Sequence, residues 1–157
     1  MMRFNEIRQQ GFSYVIAMFM VAVLSILSVR ALENTLTKAR RDKEDQLLYV
    51  GQAYREAIRT YYENTPGSAK TYPPNLAALL EDGRTTTTRR PLRRLYRDPI
   101  TSSLDWGIVR GENDVVIGVY SLSSERPIKA DGFPNTLTGF TNARRYQDWK
   151  FVYQPSL

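Results

Sequence analysis

GFSYVIAMFMVAVLSILSVR, residues 11 to 30, governs how the rest of the chain is read. From Phe12 to Val29 no side chain carries a charge, a run of 18 residues. As a helix rising about 1.5 Å per residue, such a run covers roughly 27 Å, close to the hydrocarbon thickness of a bilayer. A cleaved secretory signal has a shorter apolar core and small residues just before its cut. Arg30-Ala31-Leu32-Glu33-Asn34 offers no such site, so the segment reads as a retained anchor. The full chain of 157 residues is 24% charged and 42% hydrophobic, an ordinary average that hides this segregation. An anchor plus a head is implied, not one uniform globule.

Beyond the anchor, nothing forces a helix to stop at Arg30. Between Arg30 and Tyr62 there is no proline, and Gly51 is the only glycine. Residues 37 to 46, TKARRDKEDQ, read as a solvated helical surface, with Arg40–Glu44 and Arg41–Asp45 as i,i+4 pairs. Past them, Leu47, Val50, Tyr54, Ile58 and Tyr61 recur every three or four residues and form an apolar stripe that needs a partner surface. The head's own sheet is the simplest partner. A helix from Phe12 to Tyr62 would be about 75 Å long.

Asn64-Thr65-Pro66-Gly67 ends that helix with turn residues. Pro73 and Pro74 then start a short helix carrying Leu76, Leu79 and Leu80, closed near Gly83. Two β-rich runs, 105 to 110 and 115 to 121, flank the hairpin loop Gly111-Glu112-Asn113-Asp114, and 148 to 153 alternates as a half-buried strand. The fold class is α+β, a long N-terminal helix packed on a small antiparallel sheet. Residues 123 to 146, rich in Pro, Gly, Asn and Thr, form a long ordered loop across that sheet.

Composition removes whole classes of chemistry. With no histidine and no cysteine there is no His base, Cys nucleophile, Ser-His-Asp relay, disulfide or usual zinc site. The carboxylates are scattered and no Gly-rich phosphate loop occurs, so the chain reads as a non-enzyme. Its net charge of +6 is concentrated rather than spread. Arg84, Arg89, Arg90, Arg93, Arg94 and Arg97 fall in one stretch with no acid until Asp98. One reading is an exposed loop whose Leu92, Leu95 and Tyr96 dock inward while the arginines stay wet. Another is capture of an acidic protein partner, and a third is binding of DNA or phospholipid headgroups. Base stacking wants aromatics among the charges, and only Tyr96 qualifies, which argues against nucleic acid.

The border of the anchor carries a sharper signal. A short basic leader, then Gly11-Phe12-Ser13-Tyr14, with Phe opening the apolar run, resembles the prepilin signal of type IV pilins and type II secretion pseudopilins. Further on, Tyr72-Pro73, the Leu-rich short helix, Asp98-Pro99, Trp106-Gly107, the hairpin and a terminal strand are similar in order to the head of a major-type pseudopilin. The resemblance implies cutting between Gly11 and Phe12 by a prepilin peptidase, methylation of the Phe12 amine, and assembly with other pilins or pseudopilins on an inner-membrane platform. It also implies a head in the periplasm of a bacterial single-pass protein. Phe12, Tyr14, Ile16, Ala17, Ala22, Ser25 and Ser28 would then face neighbouring helices, the small ones permitting close approach. The implied division is 1–11 leader, 12–30 assembly helix, 31–63 its continuation and 64–157 head.

Two features depart from that family. Its usual Glu at the fifth mature position is Ile16 here, so the chain either occupies a special place such as a filament tip or belongs to a branch that assembles by helix packing alone. Flanking charge points the other way from the resemblance, since Arg30, Lys38, Arg40, Arg41 and Lys43 outnumber Arg3 and Arg8. Related heads often bind calcium; the oxygens available would be Asp131, Asn135 and Asn142, with Asp148 nearby, but no calcium-loop spacing is present and no cofactor is expected. The functional expectation is a structural pseudopilin subunit, against the alternative of a membrane-anchored module binding DNA or an acidic protein through Arg84 to Arg97.

Overall fold

The computed structural model describes residues 10 to 155 and is α+β, with one long N-terminal helix and a small three-stranded antiparallel sheet. The leader assigned to residues 1 to 11 lies outside the described residues up to position 9. Helix α1 runs Gln10–Glu63, and the chain divides into two compact units at Ala39/Arg40.

The first unit holds the apolar part of α1. Among the described residues it is the one helix long and apolar enough to cross a membrane, by length and composition.

In the second unit the expected stripe of α1 is buried throughout, with Leu47, Tyr54 and Ile58 wholly inaccessible and Val50 and Tyr61 nearly so. Its partner is the sheet and the aromatic side chains around it. Strands β1 (Gly107–Arg110), β2 (Val116–Tyr120) and β3 (Phe151–Val152) pair in that order, all antiparallel. Gly107 faces Tyr120 and Val109 faces Gly118, after which a bulge shifts Arg110 to Val116. Val119 faces Phe151 on the other side. Gly51 is required by close approach: a Cβ there would clash with one edge of the Phe151 ring. Next to it, Arg55 donates from Nε to the Val152 carbonyl at 2.9 Å.

Phe151 belongs to an aromatic cluster that supplies much of the core. Phe140 stacks on Trp149 with centroids 5.6 Å apart, while Phe133 and Tyr146 meet Trp149 edge-on. Phe133 and Phe140 come from the long loop after β2, which thus covers the sheet as its composition suggests; it includes a 3₁₀ segment, Asn135–Phe140.

Four local expectations need correction. The last strand is only Phe151–Val152, because Tyr146–Asp148 is a 3₁₀ turn in which the Asp148 carboxylate accepts the Arg144 and Arg145 N–H groups. The short leucine helix is 3₁₀, Leu76–Leu79, and begins at the Asn75 side chain, which accepts the Ala78 N–H at 3.0 Å, not at a proline. Leu95 does not dock inward. Finally, residues 37 to 46 are not solvated on every side, since Glu44 is 2% exposed.

The C-terminal end of α1 is closed by side chains from the head. Arg84 donates to the Tyr61 carbonyl at 2.7 Å and Lys70 to that of Glu63, so two carbonyls at the helix end are met by cations, while the Asn64 side chain adds a second donor to the Thr60 carbonyl, which also accepts the Asn64 backbone N–H.

Candidate assembly and docking surfaces

Three sets of residues are candidates for a functional surface, and the sequence points to two of them. The first is the apolar segment of α1. Phe12, Tyr14 and Phe19 are exposed by 74%, 67% and 70%, and Ile16 is exposed too, as are Ala17 and Ala22. The only hydroxyls on this stretch besides Ser13 and Tyr14 turn back on the helix: Ser25 donates to the Val21 carbonyl and Ser28 to the Leu24 carbonyl, each at 2.8 Å. Those bonds leave neither serine with an unmet donor, the condition an apolar surrounding imposes. Unlike the stripe further along, this segment shows side chains on all its faces, and none of the described ones is covered within the chain.

The second set is the arginine run, which the structure divides. Arg84 is not wet. Its Nε and Nη2 donate to the two oxygens of buried Asp82 at 2.8 Å each, Nη1 reaches Thr65 and Thr71, and the guanidinium carbon lies 3.4 Å from the Tyr61 ring centroid. This fork holds the Asp82 carboxyl below its usual range. Arg89 bonds Asn64, while a backbone bridge joins it to Asp82. These two are fasteners of the loop to the end of α1. Arg90, Arg93, Arg94 and Arg97 remain exposed; Arg94 lies 5.2 Å from the Tyr96 ring centroid and Arg97 donates to the Ser102 carbonyl.

Glu44 and Arg40 form the third set, which the sequence reading misplaces. They do not pair as an i,i+4 couple on the surface. Arg40 Nη2 instead reaches Glu125 Oε2 at 3.1 Å and the Arg126 carbonyl at 2.8 Å. Glu44 accepts the Ile128 N–H, the Lys129 N–H at 3.2 Å, and the Tyr146 hydroxyl at 2.8 Å. Burial, with the Glu44 bond second, pushes the Tyr146 hydroxyl up to about 12. Nor do Arg41 and Asp45 make the expected contact with each other; they border an open cleft beside Lys129 and Asp131. A signal was available. Counting back from Leu47 at the spacing of the stripe lands on Glu44 and then Arg40, so both lie on the face of the stripe, Glu44 buried and Arg40 partly exposed at its edge.

Metal chemistry has little to stand on. Among the described residues no group of three or more His, Cys, Asp and Glu side chains is placed to hold an ion. Asp131, Asn135 and Asn142 are all exposed, and Asp148 is engaged by two backbone N–H groups. Comparison of the chain with family models, with curated proteins and with solved structures returns no match.

Proposed function

We propose that the chain is a pilin-like structural subunit, a pseudopilin of a type II secretion system or of a related type IV pilus-like machine. A prepilin peptidase cuts it between Gly11 and Phe12, and the mature chain assembles through residues 12 to 29 with other pilins or pseudopilins on an inner-membrane platform, its head in the periplasm. Its work is packing and transmission of force, with no turnover of substrate.

The observation that carries this reading is the exposure of large apolar side chains all round α1 from Phe12 to Leu27. So much apolar surface on a helix free of charge demands lipid, neighbouring helices or both. The internal bonds of Ser25 and Ser28 suit that surrounding, and the small residues at 17, 22, 25 and 28 let helices approach closely. Ile16 supplies packing area where a carboxylate would supply an ion pair, so subunit contacts here are apolar.

Mass analysis of the protein extracted from membranes tests the processing step. With an active prepilin peptidase present, the mature chain should start at Phe12 and carry one added methyl group; a chain still starting at Met1 overturns it. A reporter fused after Leu157 tests the side: activity restricted to the cytoplasm is incompatible with the pilin-like reading.

A further inference from the structure

Residues 94 to 104 and one face of α1 border an open groove of about 700 Å³ lined by both apolar and cationic side chains. Along its walls Tyr49 is 71% exposed, Leu104 50% and Leu95 37%, and Lys43, Arg94 and Arg97 stand among them. Arg90 and Arg93, just before this segment in the chain, are exposed as well. We propose that this groove docks an acidic segment of a different protein, one that alternates carboxylates with aliphatic or aromatic side chains. The inference stands apart from polymerisation, since it uses no residue of the 12 to 29 segment.

Rigidity of the walls is the first support. The Tyr96 backbone is clamped from both sides, its N–H donating to the Tyr54 hydroxyl at 2.9 Å and its carbonyl accepting from Trp106 Nε1 at 2.8 Å. Asp98, fully buried, accepts from Ile100 N–H, the Thr101 hydroxyl and the Ser121 hydroxyl, and the turn closes through Ser102 N–H to the Asp98 carbonyl. Leu95 and Leu104, which flank these fixed points, are therefore held outward by a braced backbone. A surface ordered before binding costs less entropy on binding.

Charge selects the occupant. Among the described residues the one carboxylate on the groove, Asp98, has its oxygens engaged inside the head, so the cations facing the groove lack an acidic counterpart there. A second copy of this chain complements it poorly. It brings the same net positive charge, and of its acids Glu33, Glu56, Glu63, Asp114 and Glu125 already pair with arginines of their own chain. Nucleic acid is disfavoured because Tyr49 is the single open aromatic face along the groove, whereas a strand stacks successive bases on several; Tyr96 lies edge-on to Tyr54 and beneath Arg94, and the leucines offer nothing to a base. Carboxylates for the arginines and apolar side chains for Leu95, Leu104 and Tyr49 satisfy both halves of the surface.

The test uses the full chain in zwitterionic nanodiscs and two labelled peptides of equal charge, one alternating Glu with Leu and Phe, the other Glu with Gly. Fluorescence anisotropy, corrected with empty nanodiscs, should show the Leu/Phe peptide binding about tenfold tighter, a difference of about 1.4 kcal/mol. Tyr49→Ser with Leu104→Ser should erase that preference, and Arg94→Gln with Arg97→Gln should weaken both peptides, while Arg144→Gln with Arg145→Gln changes neither. All three variants alter exposed or partly exposed side chains, and an unchanged thermal transition checks that each is folded. Equal binding of the two peptides, or groove variants that bind like the parent, overturns the proposal. So does efficient crosslinking between copies through Tyr49→Cys and Leu104→Cys, which would make a second copy the occupant, or duplex DNA binding that the same groove variants abolish.

Discussion

The two halves of α1 share one backbone conformation and solve opposite problems. From residue 12 to 28 every described side chain is exposed, the charge is zero, and the two serines near its end satisfy themselves on the preceding turn. From Arg40 to Tyr61 the helix is amphipathic, and a seam of residues 40, 44, 47, 51, 54, 58 and 61 turns toward the head. The contrast locates the partner of each half. A helix that is apolar all round must look outside its own chain, whereas one with a single stripe is completed by the chain itself.

A charge placed in the first half challenges that contrast most severely. Val21→Arg, near the middle of the run, should cost about 3 kcal/mol of insertion. The variant should leave the membrane fraction and stop crosslinking to neighbouring subunits, while the thermal transition of the head stays where it was. A shifted head transition would show that the halves are not separable. The reciprocal change is Gly51→Leu, which forces a side chain into the space of the Phe151 ring. Overpacking of this kind costs about 1–3 kcal/mol, and a Tm lower by about 4 °C for each kcal/mol is expected with membrane retention intact.

Much of this contrast is legible in the sequence, because it rests on periodicity. An uncharged run of 18 residues and five apolar residues at helical spacing need no knowledge of what lies across from them. Glu44 is misplaced for the opposite reason. Within TKARRDKEDQ it is one acid among charges, and the groups that bury it, Ile128, Lys129 and Tyr146, lie 84 to 102 residues away. The arginine run fails in the same manner. Asp82, two residues before Arg84, is the one local feature that separates it from Arg93, and the tertiary position of Tyr61 is what makes the first a fastener of the end of α1. Leu95 is misplaced because residues 94 to 104 are held by hydrogen bonds to Tyr54, Trp106 and Asp98, which apolar patterning does not encode.

Glu44 refines the contrast between the halves, as a polar member of an otherwise apolar seam. Glu44→Ala removes the acceptor of two backbone N–H groups and of the Tyr146 hydroxyl, and a loss of about 2 kcal/mol is expected from leaving them buried and unpaired. Hydrogen exchange locates the effect: the Ile128 and Lys129 amides should lose protection first, with amides in residues 12 to 28 unchanged. If protection falls evenly across the head, Glu44 is a general core residue instead of the clasp that holds the long loop to α1.

The smallest effect belongs to the other end of the buried half and appears as a pH dependence. Asp82 carries a folded-state carboxyl held below its ordinary value, first by the Arg84 hydrogen bonds. A depressed carboxylate contributes stability that is present above its unfolded value, about 3.9, and is lost as pH falls through the lower folded value. Head stability should therefore decline below about pH 4, and Asp82→Asn should flatten part of that decline at a cost near neutral pH of about 1.5 kcal/mol, the low end for hydrogen bonds to a charged group. The loss is small because Arg84 keeps its bonds to the Tyr61 carbonyl, Thr65 and Thr71, and the amide oxygen that replaces the carboxylate would still accept one of the guanidinium N–H groups. Arg84→Ala removes those bonds as well and leaves the Asp82 carboxylate buried without its cation, so it should destabilise more than Asp82→Asn does. The opposite order would mean that the guanidinium matters only through Asp82, and the closure of the α1 terminus by Arg84 would then carry no weight.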